Sequence, residues 1–87
     1  MSKTTNGPVW RELYGQNTMG WRALTADLPG DVTLWVEFRP ERTPRWAVDV
    51  ARAGAWVAQR KDGGPTLATA KRRAMDIAMM AHLEAKR

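Results

Sequence analysis

The chain has 87 residues, which is enough for one domain with a modest core and leaves no room for a second. It has no cysteine, which excludes disulfides, thiolate metal sites and a cysteine nucleophile. Its 14 Lys and Arg against 9 Asp and Glu give a net charge of +5, a balance that suits an anionic partner but also serves plain solubility.

Residues 1–8 are polar and lack the apolar core of a signal peptide. They predict a flexible tail ahead of a single domain that spans residues 9–87. No run approaches the roughly 18 apolar residues of a membrane helix. We therefore expect a cytoplasmic protein, in the host cytoplasm if a phage encodes it, with no membrane partner.

Residues 9–14 are compatible with either one helical turn or a short strand, and the glycine-flanked residues 15–20 end this segment. Residues 21–28 read as a strand. They lead into Pro29 and Gly30, a turn pair in which proline presets φ and glycine takes a positive φ. The sequence therefore predicts a hairpin from residue 21 onward.

Residues 31–39 show the clearest alternation in the chain, which predicts a half-buried strand. The next five residues contain two prolines, which cannot donate to a strand ladder, so they predict a loop. A third strand begins at Trp46. Residues 55–60 predict a fourth strand, whose charged end is typical of a sheet edge.

Residues 67–86 are an unbroken run of helix formers, and Thr66 precedes them as an N-cap. Turning about 100° per residue aligns a mostly alanine stripe that allows close packing on a sheet: Leu67, Ala70, Ala74, Ile77, Ala78, Ala81 and Ala85. The sequence thus predicts an α+β fold, in which a three- to four-stranded antiparallel meander (about 21–60) packs against one long C-terminal helix (about 66–86).

Catalytic signatures are nearly absent. His82 is the single histidine, so no histidine pair and no Ser-His-acid set is indicated. Gly63 and Gly64 precede a helix but lack the spacing and the Lys-Ser/Thr pair of a P-loop, and a turn plus N-cap explains them. We expect no enzyme activity, no catalytic residue, no cofactor and no metal.

Five tryptophans in so short a chain suggest that at least one serves outside the core. An aromatic and arginine surface is one candidate for partner binding: Trp35, Arg39, Arg42 and Arg45. The alternative is nucleic-acid binding through phosphate contacts and base stacking, by a basic, Trp-containing sheet face together with cations at the start of the helix. The sheet-face residues are Arg22, Trp35, Arg52 and Arg60, and the helix residues are Lys71, Arg72 and Arg73. Shielding of the open face by arginine stems would explain the same pattern without any partner.

Met75, Met79 and Leu83 form a row on the helix that lies about a third of a turn from the alanine stripe. One sheet cannot cover both rows. Either the segment around Trp10 folds back over the methionines, or the row is a surface for self-association or for a partner.

The strands followed by Gly63 and Gly64, then Ala70-Lys71 and Ala74, resemble the second half of a double-stranded-RNA-binding domain over roughly the last forty residues. In that family a lysine pair just before the Ala-Lys contacts phosphate. This chain has Leu67 and Ala68 there, keeps Lys71 with Arg72 and Arg73 after it, and lacks the family's Gly-Pro-x-His loop. The resemblance implies a sheet-plus-helix fold more than RNA binding.

In style the chain also resembles small, Trp-rich accessory proteins of bacteriophages and their high-GC hosts, which end in a strand, a Gly/Pro turn and an alanine-rich helix. This resemblance implies a host-takeover factor or a defence inhibitor. We therefore expect a non-enzymatic protein that binds a host protein stoichiometrically. Nucleic-acid binding is the alternative, and homodimerisation is a third option.

Overall fold

The computed structural model describes residues 8–15, 18–43 and 45–85, with side chains as far as residue 82. Five strands precede one helix: β1 Arg11–Tyr14, β2 Arg22–Leu28, β3 Val32–Phe38, β4 Trp46–Arg52, β5 Ala55–Asp62 and α1 Leu67–Ala85. The predicted tail lies outside the described residues except for Pro8. The α+β prediction is confirmed, but the sheet has five strands rather than three or four.

The strands form one antiparallel meander in the order β1-β2-β3-β4-β5. The strand missing from the prediction is β1, which pairs with β2. Residues 9–14, for which the sequence allowed either a helical turn or a short strand, therefore contain a strand. Gly30 takes the expected positive φ of 86° in the β2–β3 turn. Ala53 and Gly54 both have positive φ, the pattern of a two-residue turn that matches strand twist.

Helix α1 covers one face of the sheet and packs against β3, β4 and β5. Because side chains alternate along a strand, the covered face holds the largest fully buried residues, which are Leu34, Val36, Val48 and Val50. The predicted alanine stripe is confirmed at its centre, where Ala70 and Ala74 are completely buried and Ala78 nearly so. Small side chains let the helix axis approach the sheet closely.

The sheet-to-helix turn is set by local hydrogen bonds. The Gly63 amide donates to the Trp46 carbonyl at 2.8 Å, and a Cβ at Gly63 would come within 3.0 Å of that oxygen. Thr66 is the N-cap, since its hydroxyl accepts the Thr69 amide at 3.2 Å. The glycines thus serve the turn. No described helix is long and apolar enough to cross a membrane.

Candidate interaction surfaces

The face of the sheet opposite α1 has no described element packed on it, and we call it the open face. Ala23, Thr25 and Ala47 on this face are nevertheless buried, and their cross-strand partners there are the larger residues Glu37 and Trp35. Aromatic and charged side chains lie between these small residues. The open face is therefore a mixed surface rather than a uniformly polar one.

Trp35 and Trp56 form an aromatic pair on the open face. Trp35 lies opposite Asp49 on β4, and Trp56 on the edge strand lies opposite Ala51. Their ring centroids are 5.3 Å apart and the rings are tilted by 58°. Trp35 is partly buried, whereas Trp56 is 55% exposed. The pair thus presents the largely exposed ring of Trp56, which packs against the partly buried ring of Trp35.

Asp49 lies directly across from Trp35, where its Oδ1 accepts the backbone amide of Arg60 at 2.8 Å. Arg60 has a φ of 51°, which this hydrogen bond helps to hold within β5. A neutral amide donor leaves the charge of the carboxylate in place. The open face therefore has a carboxylate beside its aromatic pair.

A second group on the open face is the Glu37 cluster, made of Glu37, Tyr14, Arg39 and Arg42. Tyr14 donates its hydroxyl to Glu37 at 2.7 Å, reaching across Ala23, whose small side chain leaves the space. Arg39 donates to the same carboxylate oxygen at 3.2 Å, and Arg42 donates to the other at 2.8 Å. The cluster ties β1 and the β3–β4 loop to the middle of the sheet.

The ionisation of this cluster follows from its contacts. Burial by itself raises the pKa of Glu37, but the Tyr14 hydroxyl and the two guanidinium groups outweigh it, so the pKa of that carboxyl lies below its usual value of 4.5. Burial and the Glu37 carboxylate together raise the pKa of Tyr14 above 10.0. Glu37 is therefore an anion and Tyr14 a neutral donor at neutral pH.

We expect Glu37→Gln to lower the free energy of unfolding by about 1 to 2 kcal/mol at pH 7, since it removes charge-assisted hydrogen bonds. A carboxyl whose pKa is lowered by folding stabilises the fold above its unfolded pKa and loses that effect as pH falls through the folded pKa. Glutamine mimics the protonated acid. The difference between wild type and variant should therefore shrink below the unfolded value of 4.5.

Urea unfolding at pH 7 and at about pH 3 measures this difference, given that stability falls linearly with denaturant. A matched control is Asp27→Asn, because Asp27 also meets an arginine on the open face but is 60% exposed there. Exposed pairs contribute little, so the control should change stability by less than about 1 kcal/mol. A gap between wild type and Glu37→Gln that stays constant with pH would contradict the assignment.

The nucleic-acid alternative placed Arg22, Arg52 and Arg60 on or beside the open face with Trp35, and the structure contradicts this placement for Arg22 and Arg52. Arg22 pairs in register with Phe38 on the helix-covered side and forms an ion pair with Glu12 at 2.6 Å. Arg52 lines a cavity of about 220 Å³ beside α1 on that same side. Both face away from Trp35 because their positions along β2 and β4 have the parity of the core residues.

The other basic candidates also separate from Trp35. Lys71 lies over the ring of Trp10, 5.5 Å from its centroid, and Arg73 donates to the Asp62 carbonyl at 3.2 Å. Arg72 is exposed on the same helix, which packs on the far side of the sheet. Of the predicted cations, only Arg60 touches the open face, and it does so through its backbone amide.

The aromatic and arginine candidates are brought together only in part. Arg39 and Arg42 converge on Glu37, and Arg39 also lies 3.9 Å from the ring centroid of Trp21. Their side chains are 27% exposed, so both guanidinium groups are already engaged within the chain. Arg45 is exposed in the loop before β4. Trp35 pairs instead with Trp56, which the prediction had not selected.

The methionine row does not behave as one unit. Met75 is partly buried against the core, whereas Met79 and Met80 are 58% and 57% exposed. Trp10 packs against the core beside Lys71 while Met79 and Met80 stay exposed, so the first of the two alternatives, a fold-back of the N-terminal segment, does not cover these two methionines. The side chain of Leu83 lies outside the described part of the chain.

A groove of about 630 Å³ runs between α1 and the edge strand β5. Its walls combine apolar groups with two cations and two carboxylates, so its charge is balanced: Val57, Ala58, Lys61, Asp62, Arg73, Asp76, Ile77, Met80 and Ala81. No group of three His, Asp or Glu among the described residues is arranged to hold a metal ion.

Comparison of the chain with protein families, with curated proteins and with solved structures found no match.

Proposed function

We propose that this protein is a non-enzymatic binding protein of phage or mobile-element type, which binds one host protein stoichiometrically and thereby inhibits it or a defence system that contains it. The binding surface in this proposal is the open face, with Trp35 and Trp56 as its aromatic anchor. Its place of action would be the host cytoplasm.

The observation that carries the proposal is the 55% exposure of Trp56 on a face that no described element covers. Tryptophan is enriched among the few residues that dominate binding energy at protein interfaces. The surroundings suit this role, because buried alanines make a flat floor and the Glu37 cluster fixes the adjoining strands. A rigid platform loses little conformational entropy when it binds.

A protein partner fits this face better than a nucleic acid does. Most of the cations that would hold phosphates, such as Arg22 and Arg52, lie on the helix side, and the arginines of the Glu37 cluster are paired with a carboxylate. Asp49 beside the tryptophan pair would repel a phosphate backbone. The cations of the nucleic-acid alternative therefore do not form one basic patch on the open face.

The test compares three baits in lysate of a high-GC bacterium, with and without nuclease treatment: wild type, Trp56→Ala and Met79→Ala. Trp56 and Met79 are similarly exposed, at 55% and 58%, on opposite sides of the molecule, so the methionine variant is a matched control. We expect one host protein to be retained in equimolar amount by wild type and by Met79→Ala. Trp56→Ala should lose it.

Thermal unfolding of each bait guards against loss of fold, and Trp56→Ala should cost about 1 kcal/mol, the size of a tilted aromatic contact. Equal retention by Trp56→Ala and wild type would refute the open face as the binding surface. Retention that disappears on nuclease treatment would instead favour nucleic-acid binding.

A further inference from the structure

Among the described residues, a tryptophan near a carboxylate occurs in three units, and in two of them a cation lies over the ring. Arg39 lies 3.9 Å from the ring centroid of Trp21, whose indole N–H donates to Glu41 at 3.3 Å. Lys71 lies 5.5 Å from the ring centroid of Trp10. The pKa of the nearby Glu12 is lowered first by its hydrogen bond with Arg22 and also by the charge of Lys71.

The third unit is Trp35, Trp56 and Asp49. Among the described residues, no cationic group lies over either ring, since the cation–π contacts involve only Trp10 and Trp21. Nor does Asp49 take part in any of the four ion pairs of the described chain, whereas Asp27 and Glu37 on the same face are both paired. Within the described part of the chain, this unit has the π faces and the negative charge but no cation.

From this we infer that the Trp35–Trp56–Asp49 unit binds an arginine side chain presented by the protein partner. The inference rests on the proposed function and specifies its chemistry. The faces of indole rings carry negative electrostatic potential that attracts a cation. The 58° tilt leaves the pair unstacked, so ring surface remains for a planar guanidinium.

Arginine suits the unit better than lysine for two reasons. A guanidinium can stack on an indole and donate to a carboxylate at the same time, whereas an ammonium acts as a compact point charge. Of the two cation–π contacts among the described residues, the closer is also made by an arginine, at 3.9 Å, against 5.5 Å for the lysine. The same chemistry would thus act between chains at the open face.

The experiment is an NMR titration of the full-length protein with the acetylated and amidated tripeptide Gly-Arg-Gly, followed at the indole N–H signals. The control tripeptide contains citrulline, a neutral isostere of arginine. Titration to roughly 50 mM saturates a site of millimolar affinity. We expect saturable shifts at Trp35 and Trp56, with an affinity roughly tenfold weaker for citrulline, because both the cation–π and the ionic attraction are lost.

Asp49→Asn is the matched variant, because its amide oxygen can still accept the Arg60 amide while the charge is removed. It should weaken arginine binding by roughly fivefold and leave citrulline binding unchanged. Equal shifts with both tripeptides, shifts confined to Trp10 and Trp21, or no shift at all would overturn the inference. The proposed function is judged separately, because loss of the host protein by Trp56→Ala supports it even when the tripeptide does not bind.

Discussion

Replacing Ala74 by leucine should lower the free energy of unfolding by about 3 kcal/mol, at the upper end of what overpacking costs. Ala74 is completely buried in the interface between α1 and the sheet, in the same core cluster as the equally buried Val48 and Val50. A leucine there has no space unless the helix lifts from the sheet. The helix packs against β3, β4 and β5, and the core lies between them. Lifting the helix would therefore expose much of that core.

The control for this variant is Ala68→Leu on the exposed side of the same helix. Leucine is nearly as good a helix former as alanine, so the control should change stability by no more than about 0.5 kcal/mol. In a domain of this size, 3 kcal/mol corresponds to a fall in Tm of roughly 12 to 24 °C. Calorimetry measures both variants, and equal Tm values would show that the helix does not lie against the sheet at Ala74.

Trp35→Ala should weaken binding of the host protein by roughly thirtyfold or more, the loss expected at a dominant interface residue. It should also lower the free energy of unfolding by about 2 kcal/mol, because Trp35 is partly buried between Thr25 and Asp49 and supports Trp56. We expect a larger loss of stability for Trp35→Ala than for Trp56→Ala, because Trp35 is partly buried and supports the ring of Trp56, which is itself largely exposed.

Trp35→Phe separates the two effects, since phenylalanine keeps an apolar ring on the strand but offers less π surface for an anchor. It should recover most of the stability and only part of the affinity. Isothermal titration with the purified host protein gives the affinity, and urea unfolding gives the stability. Binding that tracks stability across all three proteins would show that Trp35 is only a structural residue.

Much of the fold was predictable because single strands and the helix carry their signals locally. The alternation of residues 31–39 and the alanine stripe around Ala74 each mark one buried face by side-chain period alone. Strand β1 was not predictable as such. It has only four residues and pairs through a bulge, so no alternation is long enough to distinguish it from a helical turn.

The candidate site was less predictable, because it depends on which strands are neighbours and in which register. Asp49 meets Trp35 only through the pairing of β3 with β4, which the loop between them sets. Trp56 escaped selection because the pairing of β5 shifts register on both sides of Val50, which obscures the face to which its residues belong. Arg22 and Arg52 were misplaced because charged residues do occur on the covered face, at strand ends that the core does not enclose.

Hydrogen–deuterium exchange of the protein alone and in complex with the purified host protein tests the central claim most directly. Backbone amides of β3, β4 and β5 around Trp35, Asp49 and Trp56 are predicted to gain protection. In NMR spectra of the same complex, the indole N–H signals of both tryptophans should shift. Amides of α1 near Met79 should be unchanged. Protection confined to α1 and the groove along β5, with Trp35 and Trp56 unaffected, would contradict the open face as the binding surface.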